Sequence, residues 1–252
     1  MLRTRIIPCL LVKGESLVKT VRFKDPAYIG DPVNTVKIFN DLEVDELAFL
    51  DITASREKRG PNVRILQEVA NECFMPLSYG GGIADVRTAE RIFEIGYEKV
   101  VINTAALHAP QLIRDLARRF GSQSVIIAID VKRSWGKYQV TSLSGTASAG
   151  RHPVEWAVEV ERLGAGEILL TSIDREGTWK GFDVELTARV VEAVSIPVIA
   201  NGGAGSVDDI GEVVKKSRAA AVALGSMVVR QKQGMGVLVN FPDAGKLKAV
   251  LA

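Results

Sequence analysis

Two glycine-rich runs and one strand-end carboxylate carry most of the chemistry this sequence offers. Gly80-Gly81-Gly82 and Asn201-Gly202-Gly203-Ala204-Gly205 each follow a short apolar run and open onto a helix-like one. Glycine there lets backbone N–H groups approach an anion closely, and the dipole of the following helix favours negative charge. A small polar pair ends the next apolar run in each case, Asn103-Thr104 beside the first loop and Gly225-Ser226 beside the second. Together they describe two phosphate sites, and a ligand with a phosphate at each end fits them. Asp130 closes the run 124–130, where a carboxylate is placed to move protons.

The two sites recur because the chain repeats itself. Segment 46–83 superimposes on segment 167–204 without a gap, Pro76 matching Pro197 and Gly82 matching Gly203. Ahead of these, Ile6–Lys13 (IIPCLLVK) resembles Val125–Lys132 (VIIAIDVK), and there the halves part. The second half ends its strand in Asp130, whereas the first has Leu11.

Short apolar strands alternate with helical patterns from end to end. Strands are expected at 5–11, 46–52, 76–79, 99–103, 124–130, 167–172, 197–201 and 219–224, with helices at 31–42, 85–95, 111–120, 153–163, 184–194 and 206–216 among the segments between. Asp85 and Ser206 read as N-caps, and Pro110 and Pro153 stand at helix starts. Near-continuous apolar strands imply a parallel sheet covered on both faces. Eight such units with a twofold repeat and no linker predict an α/β chain folded as one (β/α)8 TIM barrel over residues 1–252. Two connections are long, 13–30 and 131–151, and both leave the C-terminal ends of strands, the catalytic face of that architecture. They are expected to act as lids or clamps, the second holding a hairpin at 137–143.

Composition excludes several classes of function. The chain has 252 residues, 47% of them hydrophobic, and 32 basic against 30 acidic side chains give a net charge of +2. That balance gives no electrostatic support to a nucleic-acid or membrane-surface role. No apolar run is long enough for a membrane helix, and the N-terminal apolar stretch is too short for a signal peptide, so a cytoplasmic location is expected. Cys9 and Cys73 lack metal-ligand spacing, and neither a metal nor a cofactor is implied. Arg5, Glu46, Lys99 and Glu167 begin four of the strands, and charges entering a barrel floor must pair there.

The runs IIPCL, FLDITAS, GGGI, INTAA, AIDVKR, GAGEILLTSIDREGT and IPVIANGGAG resemble the HisF family, the cyclase subunit of imidazole glycerol phosphate synthase, along almost the whole chain. The resemblance implies a lyase subunit of a glutamine amidotransferase pair in histidine biosynthesis. In that family a HisH-type glutaminase binds the barrel floor as a heterodimer, and its ammonia passes through the barrel to cleave and cyclise a bisphosphate at the mouth; the resemblance implies the same here. Carried over residue by residue, phosphate binding falls on Gly82, Asn103, Thr104, Gly177, Gly203, Gly225 and Ser226, with Gly81 and Gly202 beside them. The catalytic aspartate falls on Asp130, the lysine of the first loop on Lys19, and the ammonia gate on Arg5, Glu46, Lys99 and Glu167. The family pairs two strand-end aspartates; here Leu11 replaces one, and Asp51 is the nearby candidate substitute. Glu176 stands in place of an aspartate. The first loop, VKTVRFKDPAYIGDP, together with IIPCLL resembles HisF paralogues that supply ammonia to a sugar amidotransferase in surface polysaccharide synthesis.

Overall fold

The computed structural model describes residues 4–252. Twelve strands run in chain order as β1 (Arg5–Lys13), β2 (Ser16–Val21), β3 (Lys24–Gly30), β4 (Leu47–Asp51), β5 (Leu77–Gly80) and β6 (Lys99–Ile102), followed by β7 (Val125–Ser134), β8 (Lys137–Ser142), β9 (Ala147–Ser148), β10 (Glu167–Ser172), β11 (Val198–Asn201) and β12 (Ala221–Leu224). Among the described residues ten α-helices lie between or after them: α1 (Pro32–Asp41), α2 (Val63–Glu72), α3 (Val86–Ile95), α4 (Thr104–His108), α5 (Gln111–Phe120), α6 (Pro153–Leu163), α7 (Val184–Val191), α8 (Val207–Ser217), α9 (Ser226–Val229) and α10 (Ala244–Leu251).

Eight strands pair in parallel in the order β1-β4-β5-β6-β7-β10-β11-β12, and β12 pairs again with β1, so the sheet closes on itself. This is the (β/α)8 barrel the alternation predicts. Side chains alternate between two dry environments, which explains why the strands are apolar throughout. On β1, Ile7 and Cys9 face the lumen with Ala48, Val101, Ile126, Ala128, Leu169, Ile199, Ala221 and Ala223. Ile6, Leu10 and Val12 face outward into the larger core beneath the helices. The expected caps form: Asp85 accepts from Thr88 N, and Ser206 makes a capping box with Asp209. Pro153 occupies the first turn of α6, and Pro110 is the N-cap of α5.

The repeat extends into the arms. β1 and β7 both run on past the barrel and turn back as antiparallel hairpins, β1 with β2 and β7 with β8. Leu11 pairs with Val18 and Asp130 with Thr141, each the first pair of its hairpin. The residues that distinguish the halves therefore occupy equivalent positions at the barrel rim. The second hairpin differs from the expectation for 137–143: its turn is at Trp135-Gly136, with 137–142 as the returning strand. Trp135 and Gly136 have φ of 50° and 76°, the left-handed pair a two-residue turn requires, and a tryptophan gives no sequence signal for it.

Small side chains set the lumen's width, which yields a first prediction. Ala221 is fully buried there, and Ala221→Leu should overpack the lumen at a cost of about 1–3 kcal/mol, read as a lower urea midpoint. An unchanged midpoint would mean that the lumen is not packed as described.

Candidate functional site at the two ends of the barrel

At the floor, four charges form a closed ring. Arg5 contacts Glu46 and Glu167 at 2.6 Å each, and Lys99 contacts the same two carboxylates at 3.1 Å each. The signs alternate around the ring, so each buried carboxylate has two cations and each cation two carboxylates. Burial works against the Arg5 guanidinium, but Glu167 and Glu46 together hold it above its ordinary range. Glu46 and Glu167 are buried, and loss of either cation would leave them undercompensated.

The lumen above the ring is lined mostly by apolar side chains up to Leu11 and Leu50, which pack on its upper end, and the buried Ser78 hydroxyl is satisfied by donating to the Leu47 carbonyl. There the mouth opens, lined by Cys9, Lys19, Asp51, Asn103, Asp130 and Glu176 among others. Asp130 accepts from Asn103 Nδ2 at 3.3 Å, and that amide also donates to the Ala128 and Thr141 carbonyls. The narrow mouth leaves Asp130 partly open to water, yet protein surrounds its carboxyl at longer range. Burial accordingly pushes the acid up to about 7, against a hydrogen bond with Thr171 that lowers it. Near neutrality such a group can both give and take a proton. Cys9, deeper in the lumen, is pushed up to about 12 by burial and remains a thiol.

Asp51 is held differently. Arg59 grips both its oxygens, at 2.8 and 3.0 Å, while Thr53 N and Ala54 N donate to Oδ1 at 3.0 and 3.1 Å. This carboxylate organises the loop that follows β4. The side chain of Arg59 carries no motif, and within the charged run SREKRG it reads as a solvated residue.

Lys19 and Glu176 meet across the mouth in a buried ion pair. Glu176 also accepts from Thr20 Oγ1 at 3.1 Å and Phe23 N at 3.0 Å, and its carbonyl accepts from Arg22 N. The β2–β3 hairpin is thus clasped to the loop after β10. The lysine lies against Gly225, and burial draws its ammonium down to about 8, with Arg230 adding to the effect. The second glycine site is consequently covered by the hairpin, with Gly177 packed under the Thr20 carbonyl. The first is open, Gly81, Gly82, Asn103 and Thr104 all lining the mouth. At Gly203 (φ 115°) a Cβ would come within 2.1 Å of the Gly181 carbonyl, so the loop geometry itself demands glycine. Gly202 (φ 93°) adjoins it and turns toward Glu176. The short helices α4 and α9 begin beside Asn103 and Gly225 without a side-chain cap, and Ser226 is the first residue of α9.

Thr171 is a site residue that no motif announces, and it meets Asn201, which opens the second glycine run. Asn201 Nδ2 donates to Thr171 Oγ1 at 3.1 Å, and both line the mouth. Their spacing from Leu50 and Gly80 is that of the repeat, which was the available signal. Among the described residues no cluster of three His, Cys, Asp or Glu could hold a metal ion, and no helix is long and apolar enough to cross a membrane.

Fold and site define a (β/α)8 barrel with an ion-paired floor and a mouth suited to anions. Residues 5–233 match the family described as histidine biosynthesis protein, and the chain belongs to it, within the HisF group. It is 51% identical to "Putative imidazole glycerol phosphate synthase subunit hisF2" of Pseudomonas aeruginosa, over 98% of this chain and 99% of that protein. It is 44% identical to "Putative imidazole glycerol phosphate synthase subunit HisF" of Leptospira borgpetersenii, over 99% of each. Identity to "Imidazole glycerol phosphate synthase subunit HisF" of Alkaliphilus metalliredigens is 47%, over 90% of each chain.

Two predictions follow from the mouth. An acid raised in the folded state binds more protons there than in the unfolded chain, so its contribution to stability is present at low pH. That contribution is lost as pH climbs from about 4 to about 7. Asp130→Asn should remove this decline, making the variant less pH-dependent across the window and more stable than the wild type at pH 8. Identical pH profiles of the unfolding midpoint would refute the burial of this acid. Separately, Glu176→Ala leaves Lys19 without its partner and should release the hairpin, speeding tryptic cleavage at Arg22 and Lys24. Unchanged cleavage would show that the clasp does not hold it.

Proposed function

We propose that this chain is the HisF-type synthase subunit of a glutamine amidotransferase pair. A HisH-like glutaminase docks beneath the ring of Arg5, Glu46, Lys99 and Glu167 and supplies ammonia there. The gas travels the apolar lumen to a mouth that holds a phosphorylated small molecule through Gly81, Gly82, Asn103 and Thr104. Gly177, Gly202, Gly203, Gly225 and Ser226 form the second phosphate site once the β2–β3 hairpin lifts. Asp130 moves the protons, and Lys19 joins it when phosphate draws the lysine from Glu176. Asp51 shapes the rim. The observation that carries this reading is the closed charge ring below an apolar lumen. Such a ring is a costly way to seal a floor unless something small and neutral must pass.

Leu11 favours a second reading. Ring formation needs protons moved in both directions, and a positioned acid or base contributes about 10²–10⁴-fold in rate. Leucine at the position equivalent to Asp130 supplies none. In this reading the chain does little cyclisation itself, and its ammonia goes on to a sugar amidotransferase that forms an acetamidino sugar for surface polysaccharide.

Ammonium salts with the bisphosphate substrate of imidazole glycerol phosphate synthase separate the two. We expect little imidazole product from the wild type. Leu11→Asp should raise it if only the acid is missing, and Asp130→Asn should abolish what remains. Robust wild-type turnover would defeat the second reading. Turnover unaffected by Asp130→Asn would defeat the assignment of that residue. Inorganic phosphate should raise the melting temperature under either reading, by linkage of binding to folding.

A further inference from the structure

Trp135 stands at the tip of the β7–β8 hairpin with its whole surface in water. Two costs meet there. A bulky residue is held at φ 50°, where turns favour asparagine, aspartate or glycine, and a large aromatic ring is left solvated. Nothing within the described chain offsets either. The hairpin beneath is paired along its length, from Asp130–Thr141 to Ser134–Lys137. Arg133 N donates to Asp174 at 2.7 Å, the Arg133 guanidinium stacks on Tyr138, and the Tyr138 hydroxyl contacts Asp183 at 3.2 Å. The tryptophan is therefore presented on a braced arm, so little entropy is lost when it is gripped.

Three cations surround it: Lys132, Arg133 and Lys137 are exposed and make no ion pair among the described residues. The groove beside the hairpin adds Arg151 and Arg189, which are already paired with Glu159 and Glu185, so the unpaired charge is that of the arm itself. The arm also leads directly to the chemistry. Asp130 is its root, the returning strand ends at Ser142, and the next residue, Leu143, donates its N–H to Thr104.

We propose that this hairpin docks a second enzyme over the barrel mouth, a protein whose facing surface is acidic and holds an apolar cleft for Trp135. Solvent-exposed tryptophan and arginine are the side chains that most often dominate interfaces, and unpaired cations around them select an acidic partner. A lone aromatic between Ser134 and Gly136 offers too little apolar surface to anchor in lipid, which favours protein over membrane. The inference rests on the second reading above, in which ammonia is handed on at the mouth.

The test uses the sugar amidotransferase of that reading, purified, with this chain immobilised. Trp135→Ala should weaken binding about 30-fold, the size of an interface hot spot. Lys132→Glu with Lys137→Glu should weaken it further and flatten its salt dependence. Phe74→Ala, exposed at the opposite end of the barrel, should bind as the wild type does. An unchanged inorganic-phosphate melting shift in Trp135→Ala confirms folding. Equal binding by Trp135→Ala and wild type overturns the proposal alone. No binding by the wild type overturns the second reading and the proposal together. Loss in Trp135→Ala of self-association, or of binding to phosphatidylglycerol vesicles, would instead assign the arm to a second copy or to lipid.

Discussion

Closure of eight parallel strands is the constraint from which everything else here follows. Parallel pairing sends every strand start to one end and every strand end to the other. The starts carry charges, which crowd together at the floor and must neutralise one another; Arg5, Glu46, Lys99 and Glu167 do so in a closed ring. The ends carry the loops, so the glycine loops, Asp130 and both β-arms converge on one mouth. The dry lumen between them keeps the two ends chemically separate.

The twofold repeat makes the mouth symmetrical in construction but not in content. Each half contributes a glycine loop, a short helix and a hairpin rooted in its first strand. One root is Asp130 and the other Leu11, and of the two glycine loops Gly80-Gly81-Gly82 lines the open mouth. The β2–β3 hairpin lies on the other, with the Glu176 carboxylate engaged by Lys19 where a ligand's charge would otherwise be sought. The longer reach of glutamate over aspartate helps this clasp form.

Much of this was legible in the sequence because the fold is built from signals of short range. Alternating apolar runs, the Asp85 and Ser206 caps and the 46–83 to 167–204 repeat lie within local windows, and the barrel follows from them. The ring of floor charges was legible too, since strand starts can only meet at one end. What escaped depends on how the chain turns in three dimensions. Arg59 grips Asp51 from eight residues on in one loop, Thr171 lies beside Asp130 on the neighbouring strand, and Glu176 clasps a hairpin far off in sequence; no periodicity encodes these contacts. The turn at Trp135 escaped for the opposite reason: its residue type argues against the conformation it adopts.

The central claim is that ammonia reaches the mouth through the barrel rather than from solvent. The direct measurement is isotopic: glutamine labelled with ¹⁵N in its amide, supplied to this chain together with a HisH-like glutaminase, the partner proposed for it, in excess unlabelled ammonium. The nitrogen entering the product, imidazole or amidino sugar, is then assayed by mass spectrometry. Passage through the lumen predicts product carrying mainly the label, and Ala221→Leu, which narrows the lumen, should lower the labelled fraction. Label diluted to the level of the bulk ammonium in the wild type would contradict the account.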